Sequence, residues 1–272
     1  FTNPAKCAGS ICALAARPGP IVPLIAEIGG QNAMIVDSTA LPEQVVDDAA
    51  TSAFRSAGQR CSALRVLFLQ HELAERTMGL LCEAAAELVI GDPGSLATDV
   101  GPVIDDEALT RLQAHCERMR RLAHTLYAAH LDASCAHGSF LAPHIFEIDS
   151  LDLIPEEVFG PVLHVVRYDQ DDLERVIEAI NRTRYGLTLG IQTRIDAKAR
   201  DIQARLRIGN AYVNRNTIGA VVGVQPFGGE GLSGTGPKAG GPNYLQRFAV
   251  ERVLSINTAA SGGNTALANL GN

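Results

Sequence analysis

Short β-branched runs alternate with amphipathic stretches along most of this chain, and that alternation points to an α/β fold with an open, mostly parallel sheet and flanking helices. Ile21–Ile28, Ala33–Val36, Leu64–Leu69, Val162–Tyr168, Leu187–Gln192, Ala211–Asn214 and Arg252–Ile256 read as strands. Between them, Pro42–Ala57 places Val45, Val46, Ala49, Ala50, Ala53 and Phe54 on one helical stripe. Pro42 suits its first turn, Glu43 complements the positive end of the dipole, and Gly58 marks a stop. Leu73–Val89, Ala108–Leu122, Leu173–Ile180 and Asp196–Leu206 carry the same signature. The segment Gly219–Pro242 holds nine glycines and three prolines, too many for an element interior. It is expected to be a long loop, and long loops in compact domains usually carry function.

Hydrophobic residues reach 46%, enough for a packed core. Thirty acids against 23 bases give a net charge of −7 with no Lys/Arg block, so no nucleic-acid partner is indicated. No apolar run approaches the ~20 residues of a membrane-spanning helix. Six cysteines without a CxxC pair argue against a disulfide framework or a zinc site, and a reducing cytoplasm is the expected compartment. The seven histidines show no metal spacing, and Glu117-Arg-Met-Arg-Arg reads as a solvated helix face. The chain opens at Phe1, with the character of a mid-domain segment, and is expected to be a piece of a longer protein.

Two residues break the apolar pattern. Cys61, in Gly58-Gln-Arg-Cys-Ser, falls between a helix and a strand at a glycine-marked turn, where a thiol can be presented as a nucleophile. Taken alone, a cysteine more often packs as a small buried hydrophobe. Glu27 interrupts Ile21-Val-Pro-Leu-Ile-Ala-Glu-Ile just before Gly29-Gly30. It reads as a general base at a strand end or as an edge charge facing water.

Taken together, Ala26-Glu-Ile-Gly-Gly-Gln-Asn and, 34 residues on, Gly58-Gln-Arg-Cys resemble the paired glutamate and cysteine signatures of the aldehyde dehydrogenase superfamily. Gly101-Pro-Val-Ile-Asp, Glu156-Glu-Val-Phe-Gly-Pro-Val and Gln225-Pro-Phe-Gly-Gly-Glu-Gly-Leu-Ser-Gly follow in that family's order. The resemblance spans essentially the whole chain but only the C-terminal half of a family member. Asn216-Thr-Ile-Gly-Ala-Val-Val-Gly and Ser233-Gly-Thr-Gly-Pro-Lys-Ala-Gly-Gly-Pro look like the L-glutamate γ-semialdehyde (Δ1-pyrroline-5-carboxylate) dehydrogenases. Gly30-Gln-Asn-Ala-Met-Ile-Val-Asp-Ser-Thr-Ala-Leu-Pro and Asn257-Thr-Ala-Ala-Ser-Gly-Gly-Asn look like the dehydrogenase module of the bacterial bifunctional proline utilization A family.

The resemblance implies NAD as cofactor and a glutamate semialdehyde substrate, with a flavin only in an upstream proline dehydrogenase domain of the parent protein. It implies Cys61 as nucleophile, Glu27 as activator of the hydrolytic water, and Glu157 and Phe159 as cofactor contacts. Ser62, Gly219 and Ala220 would hold the substrate's amino-acid carboxylate, and Phe227 would wall the pocket. No metal is implied. Residues 1–29 would be the remnant of an NAD-binding domain carrying the general-base strand. Residues 30–243 would be the catalytic domain, and 244–272 an oligomerisation strand with a polar tail. Phe1-Thr-Asn-Pro-Ala-Lys stands where the family usually has Phe-Thr-Gly-Ser, and Pro4 removes an amide that could face a phosphate. Without the preceding domain, the isolated piece is expected to turn over NAD negligibly and, with part of Ile21–Ile28 uncovered, to self-associate. The alternative of another class is a non-catalytic, aldehyde-dehydrogenase-like module serving assembly.

Overall fold

A computed structural model describes residue 13, residues 16–19 and residues 24–257. Seven strands form one sheet in the order β3-β4-β5-β2-β1-β7-β8. Its centre is β1 (Ala33–Val36), flanked in parallel by β2 (Val66–Gln70) and β7 (Thr188–Gln192). All three strands are wholly buried, as expected of strands covered on both faces. β5 (Val162–Tyr168) and β4 (His144–Glu147) extend the sheet in parallel on one side, and β8 (Asn210–Val213) on the other. At the far edge β3 (His124–Ala128) runs antiparallel to β4, with a register irregularity between Thr125 and Tyr127.

Helix α1 (Pro42–Phe54) buries Val45, Val46, Ala49, Ala53 and Phe54, the stripe its periodicity predicts. Asp48 and Ser52 are buried on the same helix. Gln192 Nε2 on β7 donates to the Asp48 carboxylate at 2.8 Å and Ser52 Oγ donates to Asp48 O at 2.5 Å, so neither group faces bare core. α1 packs against α2 (His71–Ala86). α3 (Asp106–Leu122) starts on Asp105, whose side chain accepts from the Ala108 N–H at 2.7 Å. α4 (Leu173–Arg182) and α5 (Asp196–Arg205) follow further along the chain.

The structure departs from expectation at definite places. Pro42–Ala57 is helical only to Phe54, because Ser56 (φ 55°) and Ala57 (φ 53°) turn left-handed before Gly58. In the expected strand Ile21–Ile28, residues 21–23 lie outside the described residues, and the rest makes a single bridge, Glu27 to Gly234. On one side, the main-chain groups of Ala26 and Ile28 are taken by the Ser233–Thr235 loop. Ile28 N–H donates to Ser233 O (2.9 Å) and Thr235 N–H to Ala26 O (3.0 Å), so on that side the segment pairs with a loop and not with a strand. The edge strand β3, its neighbour β4 and the two-residue strands β6 (Tyr185–Gly186) and β9 (Glu230–Gly231) had no sequence signal strong enough to assign. The last two pair antiparallel, so Gly219–Pro242 is a loop tied to the body at Tyr185–Gly186 and, through the Glu27–Gly234 bridge, at Glu27. Arg252–Ile256 form no strand with the described residues of their own chain, and they are exposed. On α3, Arg120 and Arg121 are solvated as expected, whereas Arg118 is half-buried and donates to Leu153 O at 2.8 Å.

Candidate active site

Because β1, β2, β5, β7 and β8 run parallel, their amino ends share one edge of the sheet. The segments entering that edge are Glu27–Asn32, Arg55–Arg65, Glu157–Pro161 and Tyr185–Leu187, and they bring the sequence-predicted residues together. Between α1 and β2 the chain takes a left-handed course through Ser56, Ala57 and Gly58. Gly58 has φ +64°, and a Cβ there would lie 2.2 Å from Gly160 O, so only glycine fits.

That turn leaves Cys61 exposed. Its own carbonyl and the two that follow are clamped. Asn32 Nδ2 donates to Cys61 O (2.6 Å) and Ala63 O (2.8 Å), while Asn32 Oδ1 accepts from the Thr188 N–H (3.1 Å). Ser62 O accepts from Thr217 Oγ1 (2.9 Å) and Thr188 Oγ1 (3.3 Å), and Ser62 itself is buried. The Cys61 thiol is pushed above the usual cysteine range, chiefly by the protein packed around the sulphur, with the Glu157 and Glu27 charges adding to it. The N–H groups of Ser62 and Cys61 pull the other way. Both carboxylates are thus within electrostatic reach of the sulphur.

Glu27 is held at the mouth of the site. Its Oε2 accepts from the Gly229 N–H at 3.3 Å. Partial desolvation raises its pKa, against that hydrogen bond and the Lys238 charge. Glu157 is nearly buried and also raised, mainly by desolvation and against the neighbouring Arg65. Its Oε1 accepts from the Gly30 N–H at 3.2 Å. Buried Tyr185 is pushed up to about 12, first by desolvation and then by the Glu157 and Glu156 charges. Phe159, half-buried, lies under the Arg65 guanidinium with Cζ 5.1 Å from the ring centroid.

The loop after β8 returns alongside α1. Thr217 N–H donates to Ser52 Oγ at 3.0 Å, and its hydroxyl reaches Ser62 O. Gly219, exposed at φ +73°, and half-buried Ala220 follow that anchor. Phe227 is half-buried, its N–H donating to Ala239 O at 3.0 Å and its carbonyl accepting from the Ala239 N–H at 2.8 Å. Sequence reasoning missed Asn32, Thr188, Thr217 and Arg65. Only Arg65 left a signal, a cation inside the apolar run Leu64-Arg-Val-Leu-Phe-Leu, of the same kind as the one that exposed Glu27. Cys82 is half-buried, and Cys116 and Cys135 are buried, as packing residues should be. Cys7 and Cys12 lie outside the described residues, as do Asn3 and Pro4.

Comparison with known proteins places this arrangement in context. A family model described as "Aldehyde dehydrogenase family" matches residues 1–253. The chain is 56% identical over 239 residues to the bifunctional protein PutA of Klebsiella aerogenes, covering 86% of this chain and 18% of that protein. It is 35% identical over 224 residues to the 1-pyrroline-5-carboxylate dehydrogenase of Geobacillus kaustophilus (strain HTA426), covering 82% of this chain and 43% of that one. A crystal structure of a point mutant of Bradyrhizobium japonicum proline utilization A superposes with a TM-score of 0.89 at 60% identity, over 96% of this chain and 26% of the other. A 1-pyrroline-5-carboxylate dehydrogenase from Thermus with bound NAD superposes at 0.82 and 32% identity, over 89% and 47%. The chain therefore spans less than a fifth of the PutA relative's length and less than half of that of the stand-alone dehydrogenase.

Proposed function

The chain belongs to the aldehyde dehydrogenase family, and from that premise we propose that it is the catalytic half of an NAD+-dependent dehydrogenase oxidising L-glutamate γ-semialdehyde to L-glutamate in proline catabolism. The observation that carries the reading is the exposed thiol of Cys61 on a clamped turn, with the Glu27 and Glu157 carboxylates both acting on it.

Cys61 Sγ gives up its proton to water and attacks the aldehyde carbon to form a thiohemiacetal, whose oxyanion the N–H of Cys61 helps hold. Bound NAD+ would supply the acceptor for the hydride lost from this carbon, and that loss would leave a thioester on Cys61 Sγ. Glu27 takes a proton from water, which attacks the thioester carbon. The product leaves as a carboxylic acid and the thiol is regenerated. A carboxylate with a raised pKa suits that base role.

The Glu157 region fits the cofactor's ribose side. A Cβ on Gly29 would lie 2.3 Å from Glu157 Oε2, so the Gly29-Gly30 backbone leaves this carboxylate the room it occupies. There Glu157 would accept from ribose hydroxyls, with Phe159 packed beside it. Ser62, Gly219 and Ala220 would hold the substrate carboxylate, a hydroxyl and backbone amides making an anion cradle. Phe227 would wall the pocket. Residues 30–243 would then form the catalytic domain and 1–29 the end of an NAD-binding domain. Residues 244–272 would supply an oligomerisation strand and tail, in a cytoplasmic homo-oligomer joined to an upstream, flavin-dependent proline dehydrogenase domain. Among the described residues no helix is long and apolar enough to cross a membrane.

Replacing Cys61 with alanine in the intact protein tests the reading. Turnover of glutamate semialdehyde with NAD+ should fall at least about a thousandfold. The melting temperature should stay within about 2 °C, because the side chain is exposed. Retained NADH production would overturn the nucleophile assignment.

A further inference from the structure

Four residues beyond the nucleophile, the side chain of Arg65 is fully buried. A buried guanidinium persists only where its hydrogens are used, since desolvation costs several kcal/mol otherwise. Nη1 donates to Gly58 O (2.6 Å) and Gly160 O (3.4 Å). Nη2 donates to Arg60 O (3.1 Å) and Glu157 Oε1 (3.5 Å). The planar group also covers the Phe159 ring. Only Nε is without a partner among the described residues. Gly58 and Arg60 belong to the turn that presents Cys61, whereas Glu157, Phe159 and Gly160 belong to the segment entering β5. One rigid fork therefore joins the two segments that the proposed reaction must hold in register.

The main chain of Arg65 is itself fixed from behind. Its carbonyl accepts from His164 N–H (3.0 Å) and lies 3.1 Å from His164 Nδ1. Because a carbonyl can only accept, Nδ1 carries the proton and Nε2 of His164 is an acceptor. His115 Nε2, 2.9 Å away, must then donate, which leaves His115 Nδ1 to accept from Arg118 Nη2 at 3.3 Å. Burial keeps both rings neutral, His164 at about 3 and His115 at about 4. Each ring thus has one donor and one acceptor, and both are satisfied along a single line from α3 to the nucleophile turn.

We infer that Arg65 is a positioning residue, touching neither substrate nor cofactor, whose fork sets the Cys61 turn against the Glu157–Phe159 segment. The inference rests on the reading of those two segments given above. Three substitutions in the intact protein test it: Arg65→Lys, which keeps the charge and loses the fork, Arg65→Met, which loses both, and Glu157→Gln. The readouts are KM for NAD+, thermal melting, and the pH midpoint of Cys61 alkylation by iodoacetamide without NAD+.

Arg65→Lys should melt cooperatively, leave the alkylation midpoint in place, and raise KM for NAD+ about fivefold or more, because an ammonium cannot serve four acceptors in one plane. Arg65→Met removes a positive charge near the sulphur and should raise the midpoint, whereas Glu157→Gln removes a negative one and should lower it. A merely structural arginine would shift melting alone. An Arg65→Lys KM within about twofold of the parent, or midpoints unmoved by Arg65→Met and Glu157→Gln, would overturn the inference. If the unsubstituted protein shows no NAD-dependent turnover, the proposed function fails, while the alkylation midpoints still decide the role of Arg65.

Discussion

Asn32 Nδ2 donates to the carbonyl oxygen of Cys61 at 2.6 Å, from a residue 29 positions earlier that enters β1. The same amide also holds Ala63 O, and Asn32 Oδ1 accepts from Thr188 N–H on β7. A single side chain, 2% exposed, therefore joins the nucleophile turn to two strands of the sheet. The clamp fixes the main chain that carries Cys61, and a side chain on a fixed turn keeps the benefit of orientation.

Asn32→Ala should leave three backbone polar groups without partners at the sheet edge. The cost is expected at about 2–4 kcal/mol, measured by denaturant unfolding. Turnover should fall by more than the unfolded fraction accounts for. A stability change below about 0.5 kcal/mol would mean that water replaces the amide without loss.

Glu27→Gln should slow hydrolysis of the thioester more than its formation. Mass spectrometry under saturating substrate should then find an acyl adduct on Cys61 that the parent protein does not accumulate. The pKa of Glu27 is raised, and a base works only when deprotonated, so the acidic limb of the rate profile should lie above pH 4.5 and vanish in the variant. If turnover falls and no adduct appears, Glu27 acts at another step.

Ala220 follows the Thr217 anchor and is half-buried, so a bulky side chain there would intrude on the proposed carboxylate cradle. Ala220→Trp should raise KM for glutamate semialdehyde about tenfold or more, and that for a simple aliphatic aldehyde far less. Equal losses for both would reduce the loop to a support.

His164 and His115 are held near pH 3 and 4, below the ~6.5 of an unfolded histidine. Below pH ~6.5 the unfolded chain binds protons that the folded one refuses, so stability falls with acid, by about 1.4 kcal/mol per pH unit for each ring. Above that range these two groups add no pH dependence. His164→Gln should flatten the slope between pH 6.5 and 4, followed by urea unfolding at several pH values. An unchanged slope would place the acid sensitivity elsewhere.

How much of this was legible beforehand depends on the range of the interaction. β1 and β5 fall where their apolar runs predict, and α1 begins at Pro42 with the expected face buried, because period and capping act within a few residues. Cys61, Glu27 and Glu157 were identified from local motifs, and the fold brings them to one edge of the sheet. The sequence by itself determined the parallel α/β class and the place of the Cys61 turn, though the helix before that turn ends at Phe54 and not at Gly58. Tertiary structure alone decided that Leu24–Ile28 spends its hydrogen bonds on a loop some 205 residues further on rather than in a ladder. It also decided that β6 pairs with β9, that Asn32 clamps Cys61, and that Arg65 forks between two segments. Those choices depend on which backbone groups are left unpaired once the sheet has assembled, and no local period encodes that.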